Sequence, residues 1–154
     1  MALQAGKKLI GKNRKAFHNY HVEETLECGI ALQGTEVKSL RANHFNFSDA
    51  YARIIDNELW LLGLHINTYD QGNIFNHDPD RKRKLLVHRS ELAKLRKKVE
   101  EKGFTLIPLA FLLSHGLVKI ELGICRGKKN YDKRQDIKQK DIRRESEREL
   151  RGRF

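Results

Sequence analysis

Several groups of residues in this 154-residue chain have the types and spacing to hold a polyanion. Arg81, Lys82, Arg83 and Lys84 form an unbroken basic quartet, Lys38 and Arg41 share one face of a short helical stretch, and Lys128 and Lys129 leave the end of a strand-like run. Lys119 alternates with Val118, Ile120 and Leu122, so it points away from their apolar face toward solvent or a partner. The planar side chains of His18, Tyr20 and Tyr131 lie close to basic residues. Ammonium and guanidinium groups meet phosphates while planar rings stack on unpaired bases, a combination suited to folded RNA with exposed loops.

Bond-making chemistry lacks candidates. Gly123 and Gly127 with Lys128 superficially resemble a phosphate-binding loop, but only Ile124, Cys125 and Arg126 separate the glycines where four residues are required. Lys129 also stands where the magnesium-binding hydroxyl should be. The seven histidines are scattered, neither cysteine has a ligand-spaced partner, and His77, Asp78 and Asp80 read as ordinary loop composition. No serine elbow, no cysteine nucleophile with its histidine and no paired-carboxylate motif is present. The chain is therefore expected to be no enzyme and to need no metal and no cofactor.

Charge points the same way. Lys and Arg number 31 against 20 Asp and Glu, a formal net charge of +11, and the segment from Arg126 to Phe154 alone holds 12 basic and 6 acidic residues. Such a field favours an anionic partner, either nucleic acid or an acidic membrane. The membrane is excluded because that segment offers only Tyr131, Ile137, Ile142, Leu150 and Phe154 as apolar groups. No apolar run approaches the roughly 18 residues of a spanning helix. The N-terminal residues lack the apolar block of a secretory signal, so the expected location is cytoplasmic and Cys28 and Cys125 are expected as reduced thiols.

The elements that must position these groups are mostly strands. Met1 to Asn13, punctuated by Gly6 and Gly11, reads as a loose basic leader. Tyr20 to Leu32 reads as a strand with a bulge or bend at Gly29, and Thr35 as the cap of a short amphipathic helix from Glu36 to Arg41. Ala50 to Ile55 and Glu58 to Leu64 form a hairpin around Asp56 and Asn57, followed by an irregular loop from Asn67 to Asp80. The basic quartet abuts Leu85, Leu86 and Val87 as a strand. Ser90 caps a helix that runs to about Lys102, where Gly103 stops it. Phe104 to Leu113 and Leu117 to Cys125 make the clearest hairpin, with Val118, Ile120, Leu122 and Ile124 facing inward and Lys119 and Glu121 facing the other way. Short turn-linked strands outnumber helices, which predicts a mainly β fold: a small closed or partly closed antiparallel barrel with helices laid against it.

The chain thus divides into a leader plus barrel at residues 1–125 and a basic tail at residues 126–154. The tail buries too little apolar surface to offset the entropy of ordering itself, so it is expected to be disordered alone. Asp136 with Lys140, Glu147 with Arg151, and Glu149 with Arg153 nevertheless carry the four-residue spacing that supports a helix once an anionic surface neutralises the excess charge.

Five strings complete the reading: Asn13-Arg14-Lys15-Ala16, Gly34-Thr35-Glu36-Val37-Lys38-Ser39-Leu40-Arg41, Arg83-Lys84-Leu85-Leu86, Gly127-Lys128-Lys129 and Asp132-Lys133-Arg134. In order, spacing and chain length they closely resemble the small protein B (SsrA-binding) family, the bacterial partners of transfer-messenger RNA. Cys28, Asn43 and Cys125 depart from the usual pattern without disrupting it, since Asn tolerates positive φ and Cys behaves as a small apolar group. The resemblance implies a barrel of the oligonucleotide-binding (OB) type with two or three helices, and a tail that becomes helical on the ribosome. It implies a non-catalytic adaptor, monomeric on RNA, that carries transfer-messenger RNA to stalled ribosomes for trans-translation. It maps contacts with that RNA onto His18, Glu27, Leu86 and Lys119, where Glu27 would hydrogen-bond a base or sugar. Tyr131, Asp132, Lys133 and Arg134 match the family's junction near the decoding centre of the small subunit, with the tail entering the vacant message channel. The alternative is a ribosomal or translation-factor barrel binding ribosomal RNA directly.

Overall fold

The computed structural model describes residues 6–72 and 76–152. The chain runs β1 (Lys7–Lys12), α1 (Arg14–Asn19), β2 (Tyr20–Ile30), α2 (Gly34–Arg41), β3 (Phe45–Asn46), β4 (Tyr51–Ile55) and β5 (Glu58–Leu62). It continues through β6 (His65–Ile66), β7 (Arg83–Leu86), α3 (Arg89–Lys102), β8 (Thr105–Ser114), β9 (Leu117–Gly127) and α4 (Asn130–Gly152).

Turn chemistry sets the hairpins. Asp56 and Asn57 take φ of 50° and 61°, the left-handed pair that a two-residue connection demands, and His115 and Gly116 take 50° and 78° between β8 and β9. The main sheet has the order β1-β8-β4-β5-β7-β2-β9, and β9 pairs back onto β8, so the antiparallel ladder closes on itself as a barrel. Strand β8 makes the closure possible: one edge takes β9 along its whole length, while the other takes β4 at Leu106 and β1 from Ala110 to Ser114. Closure leaves few free edges.

Inside the barrel, alternate residues of β2, β5, β7, β8 and β9 meet: Cys28, Leu59, Leu61, Leu85, Phe111, Ile120 and Leu122 are all buried in one cluster, capped by Leu40 and Leu95 from α2 and α3. A smaller cluster lies outside the barrel wall, where α1 sets Ala16 and Phe17 on Ile107, Leu109 and Cys125. Gly123 permits this, because a Cβ there would stand 2.8 Å from the Leu109 side chain and 2.9 Å from Cys125 Sγ. Both thiols are free and buried, and burial pushes Cys125 up to about 11 and Cys28 to about 12.

Several expectations are corrected. Lys7 to Lys12, expected in a loose leader, form β1 because Lys8, Leu9 and Lys12 find partners along the free edge of β8; residues 1–5 lie outside the described part. The bulge of β2 falls between Val22 and Glu24, whereas Gly29 pairs regularly on both sides. Gln33 rather than Thr35 caps α2, exchanging hydrogen bonds with Glu36, and His88 rather than Ser90 caps α3 with Glu91. Strand β9 runs to Gly127, two residues beyond the expected barrel boundary, because Tyr20 and His21 of β2 are there to pair with Gly127 and Arg126. Apart from these corrections, the tail is helical in the structure as α4, and Arg153 and Phe154 lie outside the described residues.

Candidate nucleic-acid interface

Antiparallel partners share a face, so register assembles the site. Gly29 of β2 pairs with Leu86 of β7 on one side and Lys119 of β9 on the other, and Lys119 pairs in turn with Leu112 of β8. One step along, Glu27 pairs with Glu121, Glu121 with Ala110, and Ala110 with Lys12 of β1. Leu86, Lys119 and Glu27, distant in sequence, therefore lie in adjacent rows on the outer wall of the barrel. Leu86 is 52% exposed there and covers Gly29, whose hypothetical Cβ would lie 3.1 Å from Leu86 Cβ. An exposed leucine flanked by a half-buried lysine and an exposed carboxylate offers packing, charge and a hydrogen-bond acceptor on one patch. Glu27 is held in place by the ammonium of Lys7.

His18 and Tyr20 border this wall. His18 lies in the last turn of α1 and Tyr20 opens β2; both are half-buried, and Tyr20 packs with Phe17 and Val22 against the outer cluster rather than standing free. Beside α1, Lys12, Arg14 and Lys15 line an open cleft of about 630 Å³ with Asn43, Phe45 and Ser48. Asn13 builds it by donating from Nδ2 to the Pro108 carbonyl (2.8 Å) and accepting the Ala16 N–H at Oδ1 (3.2 Å). The string Asn13-Arg14-Lys15-Ala16 marks this cleft, and in the sequence it stands out only through its likeness to the family.

The basic quartet does not present one cationic surface. Arg83 is 0% exposed: it ion-pairs with the buried Glu36 and donates to the Leu64 and Pro79 carbonyls at 2.8 and 3.0 Å. Arg81 donates to the same carboxylate and to the Ala31 carbonyl. Burial would raise the Glu36 carboxyl, but hydrogen bonds from Arg81, the Gln33 N–H and Arg83 hold it below the usual carboxylate range. Arg83 as an RNA ligand is thus corrected to a core residue, because alternation along β7 turns it inward with Leu85 and leaves Lys84 and Leu86 outward. Lys84 pairs with Glu58 at 3.1 Å, and Lys82 sits over the Trp60 ring at 4.7 Å. Lys38 and Arg41 are exposed on α2, with Lys38 Nζ 5.2 Å from the Tyr69 ring centroid.

His77 is also structural: it is buried between the Thr35 hydroxyl (2.8 Å) and the Ile66 carbonyl (2.9 Å).

At the tail junction Lys128 is half-buried, donating to the Phe17 carbonyl at 3.1 Å and to Asp136, while Asp132 lies 3.4 Å from His21 and accepts the Lys129 N–H. The Lys128 hydrogen bond holds the Asp136 carboxyl below its ordinary value. Lys129, Tyr131 and Arg134 are exposed and Lys133 is half-buried; Tyr131 is 68% exposed, its hydroxyl accepting from Gln135 at 3.0 Å. Beyond Asp136, no hydrogen bond or ion pair among the described residues ties α4 to the barrel. Asp136 thus turns to Lys128 rather than to its expected partner Lys140.

Among the described residues no helix is long and apolar enough to cross a membrane, and no group of three or more metal-ligating side chains converges.

The comparisons with known proteins agree with one another. A family model described as "SmpB protein" matches residues 10–152. An SsrA-binding protein of Desulfitobacterium hafniense is 60% identical over 146 residues, covering 95% of this chain and 94% of that protein. One of Treponema denticola is 54% identical over 143 residues, covering 93% of each. A solved chain from "tmRNA-SmpB: a journey to the center of the bacterial ribosome" is 51% identical with a TM-score of 0.65, covering 86% of this chain and 94% of that one.

Proposed function

The chain belongs to the SmpB family, and from that premise we propose that it is an RNA-binding adaptor: it binds the tRNA-like domain of transfer-messenger RNA and delivers it to stalled ribosomes for trans-translation. The observation that carries this reading is the outer wall on which register places Leu86, Lys119 and Glu27 side by side. On that wall Lys119 meets phosphate, Leu86 packs on a sugar or base, and Glu27 accepts from a base or a 2′-hydroxyl. His18, beside the wall, stacks or hydrogen-bonds at its edge. Lys38, Arg41, Lys84 and the cleft of Lys12, Arg14 and Lys15 add long-range attraction.

The second half of the task belongs to the tail. Free in solution it is disordered, and it takes the form of α4 inside an empty message channel, whose RNA lining neutralises its charge. Message already in the channel excludes it, which makes the helix a vacancy test. Tyr131, Asp132, Lys133 and Arg134 sit where the tail leaves the barrel and are the residues that reach the decoding centre. The protein makes and breaks no bond itself, acts as a monomer on its RNA and works in the cytoplasm.

Filter-binding competition tests the reading. Transfer-messenger RNA should displace labelled complex at far lower concentration than ordinary tRNA or ribosomal RNA; equal displacement by ribosomal RNA would instead make this a ribosomal barrel protein.

A further inference from the structure

One buried polar group is left without a use. Glu121 is 7% exposed, and its Oε1 has no hydrogen-bond partner among the described residues. Native folds rarely leave such an atom unpaired, because the desolvation cost stands uncompensated. Its setting adds to that cost: Glu121 pairs directly across the ladder with Glu27, and like charges facing one another across strands are unfavourable. Neither neighbouring lysine is committed to it. Lys7 is spent on Glu27, and Lys12 Nζ lies 4.6 Å from the Phe17 ring centroid. Burial, then the charge of Glu27, push the Glu121 carboxyl above its ordinary range.

Glu121 helps to line a pocket of about 110 Å³ whose walls include Leu9, Phe17, Leu109 and Leu112, with Lys12 also lining it. That is well below the roughly 300 Å³ of a typical metabolite site, so the pocket suits one inserted group rather than a whole small molecule. A metal ion would find a single carboxylate and apolar walls. A cationic side chain would meet Lys12 and Lys7. A flat ring that brings N–H donors inward and trails a phosphate outward fits every wall: leucines and Phe17 flank the ring, the carboxylate accepts, and Lys12 meets the phosphate.

We propose that Glu121 reads an unpaired guanine of the bound RNA, accepting hydrogen bonds from its Watson–Crick edge. Guanine alone presents two adjacent N–H donors on that edge. Adenine, cytosine and uracil set a ring or carbonyl acceptor beside their donor, which the second carboxylate oxygen would repel. This site rests on the adaptor reading above and extends it along the same wall, one strand from Glu27.

The test uses the full-length protein and transfer-messenger RNA, with kethoxal as the probe of unpaired guanine N1 and N2. The wild type should protect one guanine of the tRNA-like domain. Glu121→Leu and Glu121→Gln should restore its reactivity and weaken binding about tenfold. The slope of log affinity against log salt should fall by no more than the one Lys12–phosphate contact, about 0.9. Thermal unfolding of both variants, with Gln keeping the shape of the side chain, separates loss of contact from loss of fold. A wild-type footprint and affinity reproduced by Glu121→Leu would overturn the guanine assignment alone and leave the carboxylate to a buried water. A wild type that binds no transfer-messenger RNA would overturn the adaptor reading and this proposal with it.

Discussion

At the scale of single residues, the same chemical type serves opposite ends depending on which way a strand turns it. Arg83 and Lys84 are neighbours in a basic run, yet one is sealed in the core with Glu36 and the other is on the surface. Replacing Arg83 with Met should therefore act on folding rather than on RNA contact. It leaves Glu36 buried with one partner fewer, and removing one member of a buried pair costs about 3–5 kcal/mol. The thermal midpoint should fall on the order of 10 °C, read by differential scanning calorimetry. The pH dependence has a definite sign. Because the Glu36 carboxyl is held low in the fold, its contribution is complete above the ordinary carboxylate range of about 4 and is lost as pH falls through the lower folded value. Stability of the wild type should drop on acidification through that window, and Glu36→Gln should flatten the drop. An unchanged acid limb in Glu36→Gln would contradict the role assigned to the carboxylate.

At the scale of elements, α1 and α4 are joined through one lysine. Lys128 leaves β9, reaches back to the last turn of α1 at the Phe17 carbonyl and forward to Asp136 of α4, so it sets the direction in which the tail departs. Without it, α4 keeps only the His21–Asp132 contact as its side-chain tie to the barrel among the described residues. Lys128→Ala should leave affinity for transfer-messenger RNA within a few-fold of wild type, yet reduce peptide tagging on stalled ribosomes much more steeply. Equal losses in binding and tagging would mean that Lys128 contacts the RNA rather than aiming the helix. The long helix itself is almost wholly exposed, with Ile137, Ile142 and Leu150 about half accessible or more, so its persistence depends on what surrounds it rather than on its own packing.

At the scale of the whole molecule, the proposed adaptor uses the closed barrel as a wall for one RNA and α4, tied down only at its base among the described residues, as the reach toward another. These two parts should separate under truncation. A chain ending before Asp132 should keep most of its affinity for transfer-messenger RNA and lose tagging. The salt dependence of binding measures how much the tail contributes: each phosphate contact adds roughly 0.7–0.9 to the slope of log affinity against log salt. The truncated chain should therefore show nearly the slope of the full chain on isolated transfer-messenger RNA, and a much smaller one on ribosomes.

Local rules carried much of this protein into view. The Asp56–Asn57 turn, the Gly103 stop of α3, the two halves of the last hairpin and the inward set Val118, Ile120, Leu122 and Ile124 all follow from short-range sterics and two-residue alternation, which a single strand already contains. Lys119 and the basic tail were legible for the same reason. Which residues stand beside one another across strands was not. Nothing near Lys7 says that it will join β8, nothing near Arg83 says that Glu36, 47 residues earlier, will meet it, and nothing near Glu121 says that Glu27 will face it and α1 will close over the same wall. Register and burial are properties of pairs distant along the chain. Only the closed barrel decides which charged side chains face water, which are cancelled in the core, and which, among the described residues, is left buried and unpaired.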